Sequence, residues 1–385
     1  MAVISIDRIG DLADRLIARS AAAKIRPGRV VIIDPCDPDW VVPWNPFLQP
    51  GDPFRVADGF VDAVERQATS WGVQIDSDMR NISRALVMTR NSPLEIERMY
   101  TDDEFRASVA AKITDVCLRN FLQLFDRLTP EQRLQRQMAV SNKLQNIISN
   151  PRLRRILCGK GTINLQQIVD DPAAILLVAL RKDQLHGSGD FLGDMVMQGV
   201  WNAVLSRATI PEDKRVKSTL ILDEGQNFAK GCLAEIITEG RRYGLRLVFA
   251  HQSQAQIEPG LRAIMRNNCA VQLVFNVGPI DAKEMSQMLM PLSRIEATDA
   301  ILRLKVGETF VVRQGMYPIR VVTPNADPVD MSLVPEFRKQ SMFAHGQGCE
   351  AVDAEIASRW TSLGVTRDSL GDGQVEVRHV RKPQA

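Results

Sequence analysis

From Ala173 to Leu289, short apolar runs alternate with helix-length amphipathic stretches, and this alternation limits the fold more than any other feature of the sequence. The apolar runs are Ala173–Leu180, Thr219–Leu222, Leu245–Ala250 and Ala270–Phe275. The helical stretches between and after them are Asp190–Arg207, Cys232–Tyr243, Pro259–Asn267 and Asp281–Leu289. Strands separated by helices pair in parallel, are buried on both faces, and bind ligands beyond their C-terminal ends. The expectation is an α/β chain with a parallel sheet, closed by a hairpin of Thr309–Arg313 and Ile319–Thr323 joined through Gln314-Gly315.

The same alternation opens the chain: a strand at Ala2–Ile6 ending in Asp7, a helix at Asp11–Ala22 and a strand at Arg29–Asp34. No segment precedes the first strand to begin a buried sheet. It is therefore either an edge strand or the continuation of a sheet whose first elements lie upstream of Met1. Between these α/β halves the period changes to 3.6. Helices are expected at Ala57–Trp71, Met79–Thr89, Asp102–Leu128 and Pro130–Ile148. Asp102 is the N-cap of the third, and Phe105, Val109, Ile113, Val116 and Leu124 lie on its inner face. The expected organisation is an N-terminal α/β part (1–53), an inserted all-α domain (54–158), a C-terminal α/β part (159–328) and a polar tail (329–385). In the tail one helix is expected, at Ala351–Leu363.

Composition narrows the function classes. Forty-eight basic and 46 acidic residues nearly cancel, so affinity for nucleic acid has to come from a local patch. The six cysteines form no CxxC pair, which favours reduced thiols in a cytoplasm-like compartment over a zinc site or a disulfide framework. The longest apolar runs fall far short of the ~18–20 residues of a spanning helix. The basic stretch Arg152, Arg154, Arg155 and Lys160 reads as a solvated helix end rather than a phosphate contact. Gly159-Lys160-Gly161-Thr162 imitates the end of a phosphate loop. It fails because GxxxxGK[ST] needs a glycine where Arg154 stands and a Ser or Thr where Gly161 stands.

Chemistry concentrates at the strand tips. Ser218–Leu222 delivers two adjacent carboxylates, Asp223 and Glu224, to the edge of the sheet. A carboxylate there can hold a magnesium-bound water, the role expected of Asp223. A second one can orient a water for attack on phosphorus, the role expected of Glu224. By itself the pair fits an ordinary helix cap equally well. The next strand, however, ends in His251-Gln252, where the Gln252 amide can contact a terminal phosphate and its attacking water. Between the two strands lie Arg241 and Arg242. These complement a helix dipole in the plain reading, and reach a neighbouring subunit's nucleotide in the functional one.

Three segments, Leu220-Ile-Leu-Asp-Glu-Gly-Gln-Asn-Phe228, Ile236-Ile-Thr-Glu-Gly-Arg-Arg-Tyr-Gly244 and Leu247-Val-Phe-Ala-His-Gln252, resemble the core of conjugative coupling proteins. These are the TraG/VirD4-type ATPases of type IV secretion, within the HerA/FtsK group of P-loop DNA motors. Ile6-Asp-Arg-Ile-Gly-Asp-Leu12 resembles that family's Asp-Pro-His-Gly-Asp-Leu segment, with Arg8-Ile9 departing from it. Ile33-Asp-Pro35, Val42-Pro-Trp-Asn-Pro46, Asn142-Lys-Leu144, Val277-Gly278 and Asp281-Ala282 fit as well, so the likeness runs from Ile4 to Asp281.

The resemblance implies a RecA-like P-loop NTPase sheet with an all-α insertion, ATP and magnesium as cofactors, a hexameric ring and DNA in its channel. It implies Asp223 and Glu224 as the Walker B pair, Gln252 as sensor, and Arg241 or Arg242 as the finger acting in trans. Relaxase or secretion-channel proteins are the implied partners, at the cytoplasmic face of the cell membrane. The family's phosphate loop, which precedes the strand corresponding to Ala2–Ile6, has no counterpart in the chain. Two readings follow: a translocase whose start is misassigned or whose gene is broken, or a non-hydrolysing DNA-binding or adaptor subunit. An unrelated α/β enzyme using Asp223 and Glu224 as acid and base is a third, weaker reading.

Overall fold

The computed structural model describes residues 1–161, 163–185, 187–228 and 230–361. The N-terminal part supplies β1 (Ala2–Asp7), the helix Asp11–Ala22, β2 (Val30–Ile33) and the short β3 (Trp40–Val41). Beyond a helical region follow β4 (Ile175–Ala179), β5 (Ser218–Asp223) and β6 (Leu245–Phe249). Five of these strands form one parallel sheet in the order β2-β4-β1-β5-β6. The first strand of the chain is therefore central and not an edge strand. Ala2, Ile4, Ser5 and Ile6 are wholly buried between β4 and β5, as an apolar run in the middle of a parallel sheet must be.

The expected single sheet divides in two. The strand β7 (Val271–Val274) joins β8 (Glu308–Arg313) and β9 (Ile319–Val322) in an antiparallel sheet of its own. This sheet has a small separate core of Val274, Ala282, Leu289, Ala297, Ile301, Leu304 and Phe310. The expected hairpin is present as β8–β9. It captures β7 because β7 has no strand of the parallel sheet beside it.

The helical region begins at Pro53, where Asp52 caps the helix Pro53–Gln67 by accepting from Phe54 N–H. Asp102 caps its helix as expected, accepting from Phe105 N–H at 2.8 Å. The long helix expected at Asp102–Leu128 is two helices, Asp103–Ala110 and Val116–Asp126, the second restarted by Asp115 as a new N-cap. The restart resets the helical phase. Val109 and Ile113 stay inside, while Val116 and Leu124 turn outward and Leu118, Leu122 and Phe125 take the inner face. The helical region is continuous with the sheet's core: Phe60 of Pro53–Gln67 sits edge-on between Phe47 and Phe191.

Two helices, Val334–His345 and Cys349–Thr361, fold back from the C-terminal region, where only the second was expected. Between them β10 (Gln347–Gly348) pairs with β3. The basic stretch after Asn150 forms the helix Pro151–Cys158, and its Arg155 is paired with Asp353 of the last helix. Among the described residues no helix is long and apolar enough to cross a membrane.

Candidate functional site

The register of the sheet sets Asp7, at the tip of β1, beside Asp223 at the tip of β5. Asp7 is buried and already occupied. Its carboxylate accepts from Ile9 N–H at 2.9 Å and from Ala13 N–H at 3.0 Å, closing the turn into the helix Asp11–Ala22. Gly10 makes that turn at φ +106, and a Cβ there would meet the Arg181 guanidinium at 2.6 Å. The Ala13 N–H in the first turn of this helix thus serves an internal carboxylate.

Asp223 is only partly buried, yet its carboxyl holds a proton above the usual aspartate range. Burial is the largest cause, followed by the negative charges of Asp7 and Glu224. A carboxylate disfavoured in this way is stabilised by an arriving cation, so the tip of β5 suits a hydrated magnesium ion.

Glu224 ends the strand at φ +53, a left-handed conformation uncommon for a side chain of this size. The next residue has to be glycine. A Cβ on Gly225 would stand 2.5 Å from the Phe249 ring, and Gly225 N–H reaches over to donate to Ala250 O at the end of β6. The turn Gly225–Asn227 then brings Gln226 back under Glu224. Gln226 Nε2 donates to the Glu224 carboxylate at 2.8 Å and to Gln256 Oε1 at 3.0 Å. Its own Oε1 is buried with no partner among the described residues, as is His251 Nδ1. His251 lies against Phe249, ring centroids 5.6 Å apart, and burial holds its pKa below the usual histidine value. Asp281 is also buried here, fixing the loop after β6 by accepting from Gln254 N–H at 3.1 Å.

The structure therefore gathers Asp7, Asp223, Glu224, Gln226, Gln256 and His251 around the tips of β1, β5 and β6. Gln252 stands on the same rim, exposed. Arg241 and Arg242 are exposed too, but they immediately precede the start of β6, at the opposite end of that strand from Gln252. Within one subunit they are remote from Asp223. Gly244, at φ +79, turns the chain from them into β6. Sequence reasoning missed Gln226 and Gln256, since only the left-handed turn at Glu224 makes an i+2 side chain reach back. Asp7 and Asp281 lay in segments already matched to the family; the parallel register supplies the missing reason for Asp7, and the bond from Gln254 N–H supplies it for Asp281.

Residues 217–290 match a family model described as the TraM recognition site of TraD and TraG. None of the curated proteins matches the chain. Among solved structures, the plasmid coupling protein TrwB in complex with a non-hydrolysable GTP analogue superposes with a TM-score of 0.59 at 16% identity, over 85% of this chain and 86% of that one. TrwB in complex with ADP and Mg2+ gives 0.57 at 15% identity, with the same coverage of 85% and 86%. VirB4 of Thermoanaerobacter pseudethanolicus gives 0.51 at 16% identity, over 85% of this chain and 89% of that one. The chain has the RecA-like α/β fold of TrwB, and the resemblance to TraG/VirD4-type coupling proteins read from its sequence is borne out.

Proposed function

We propose that this chain works as an ATP-driven coupling protein that moves DNA in conjugative transfer. The observation carrying the reading is the Asp223–Glu224 pair at the tip of a buried parallel strand, beside Asp7 and one strand from Gln252. Asp223 would hold magnesium through water, and Glu224 would orient the lytic water. Gln252 would sense the terminal phosphate. Arg241 or Arg242 would serve the site of the next subunit in a ring, in keeping with their distance from Asp223 in their own chain. DNA, relaxase or channel proteins, and by analogy with the matched family TraM, are the proposed partners. The cytoplasmic face of the cell membrane is the proposed location.

The residues fit the two cofactors unequally. The acidic tip of β5 suits magnesium. For the phosphates of ATP the fit fails: among the described residues no glycine-rich turn with a lysine joins a strand to a helix, and the helix after β1 is capped by Asp7. The chain by itself is therefore expected to bind ATP weakly and to hydrolyse it negligibly, with or without DNA. The test is steady-state ATP turnover with single- and double-stranded DNA, for the chain and for Glu224→Gln. Strong DNA-stimulated turnover that Glu224→Gln abolishes would overturn this account of the phosphate side. The capped helix and the Gln226-bound Glu224 favour one alternative, a non-hydrolysing adaptor subunit. DNA retention without turnover, even in company with a complete ring protein, would select it.

A further inference from the structure

Gln226 touches two elements of the site at once. Its side-chain amide has two hydrogens, and each has a different partner: the Glu224 carboxylate at 2.8 Å and Gln256 Oε1 at 3.0 Å. Turned over, the amide would set its oxygen against a carboxylate, which has no hydrogen to give. The donors therefore fix its orientation. Gln226 is buried, and its Oε1 has no partner among the described residues. A buried amide with a purely structural task is normally bonded on both sides. Here the side that joins Glu224 to Gln256 is served and the other is left over.

Gln256 closes the short turn Gln254–Gln256, which follows the Gln252 rim. The tip of β5 and this loop are joined twice. The inner joint is backbone to backbone, Gly225 N–H donating to Ala250 O at 3.2 Å. The outer joint is the Gln226–Gln256 bond, and Gln256 is exposed where Gln226 is buried. Gln252 lies on the stretch between the two joints. The inner joint moves only with the strands, so a displacement of Gln252 is passed to the outer one. The turn has one further anchor, Asp281 of the helix Pro279–Met285, which accepts from Gln254 N–H at 3.1 Å.

We infer that Gln226 is a positioning residue through which the loop carrying Gln252 sets the Glu224 carboxylate. This regulation rests on the roles proposed for Glu224 and Gln252. A shift of the loop carries Gln256 Oε1 with it, and the shared amide turns to follow. Glu224 holds the other hydrogen of the same amide, so its bond changes as well. A held glutamate keeps one setting of its three side-chain torsions, and a released one samples several. Contact at Gln252 thus reaches Glu224 although the two side chains need never meet.

The experiment follows the Glu224 carboxyl carbon by NMR in the full chain carrying 13Cδ-labelled glutamate, its signal assigned by Glu224→Gln. Gln256→Met breaks the outer joint and leaves Gln226 whole, while Gln226→Met removes the shared amide. Gln256→Met should shift the Glu224 signal. Gln226→Met should shift it farther, toward the position common to exposed glutamates. In a chain already carrying Gln226→Met, Gln256→Met should add no shift. Asp281→Ala frees the turn from its far side without touching Glu224 or Gln226, and should shift the signal only where Gln226 is kept. Circular dichroism checks that each variant folds, and Gln226→Asn, one methylene shorter, replaces a Met variant that does not. A Glu224 signal unmoved by Gln226→Met would overturn the inference, as would equal shifts from Gln256→Met with and without Gln226. The readout needs no nucleotide, so failure here is distinct from failure of the proposed turnover, which has its own assay.

Discussion

At the tip of β5, burial and then the negative charges of Asp7 and Glu224 act on Asp223, and the effect has a predictable sign. Asp223 keeps its proton more tightly in the fold than in the unfolded chain, through burial and then the charges of Asp7 and Glu224. Between the ordinary aspartate pKa, about 4, and the raised folded value, the folded state holds the extra proton, so stability falls as pH rises through that window. Asp223→Asn removes the penalty. It should raise the melting temperature at pH 7, and only modestly, because solvent screens a group this exposed. The gain should shrink as pH is lowered and vanish below the aspartate range. Thermal melts of both chains from pH 3.5 to 8 check this, and a gain that is constant with pH would contradict it. The acids of this site were legible in the sequence because a buried strand ending in Asp-Glu is a local pattern. Gln226 was not, because its reach to Glu224 depends on one positive φ that residue types alone do not announce.

Elements were legible where capping and periodicity agreed, and misread where a second cap interrupted a sustained period. Asp11–Ala22 and Pro130–Ile148 came through with the expected bounds. Asp115 broke the long helix, and the outward turn of Val116 and Leu124 followed from the lost phase. Harder to read was the residue that locks elements together. Arg207, expected only as the last residue of a helix, is wholly buried. Its guanidinium donates to Asp170 at 2.8 Å, to Tyr243 O at 3.0 Å, to Ser218 Oγ at 3.2 Å and to Val169 O. It thereby joins the start of β5, the turn before β6 and the end of the helix Leu165–Asp170 before β4. Methionine fills similar volume but donates nothing, leaving a carboxylate and two carbonyls unsatisfied. Arg207→Met should cost about 3–5 kcal/mol. Urea unfolding followed by circular dichroism would show this as a lowered midpoint with an unchanged slope, and an unmoved midpoint would refute the locking role.

Across the described molecule residues 334–345 meet the N-terminal strands, which no local pattern could reveal: residues far apart in sequence are paired by the fold and not by spacing. The C-terminal region read as a polar tail because its apolar residues are sparse. Yet Phe337 and Met342 are buried, and Ser341 Oγ donates to Val30 O of β2. Arg338 completes a cluster of two guanidiniums and two carboxylates. It donates to Asp34 at 2.6 Å and to Asp14 at 2.8 Å, while Arg181 donates to the same two acids at 3.0–3.1 Å. Asp34 is almost fully buried, so removing one cation leaves two acids to share the other in a poorly solvated place. Arg338→Met should cost about 2–3 kcal/mol. Because Arg338 ties the helix Val334–His345 to this cluster, the loss should fall first on that helix. Hydrogen exchange should show 334–345 losing protection while β1, β4 and β5 keep theirs. If all these segments lose protection together, the helix is inseparable from the sheet, and the C-terminal region unfolds only with the whole domain.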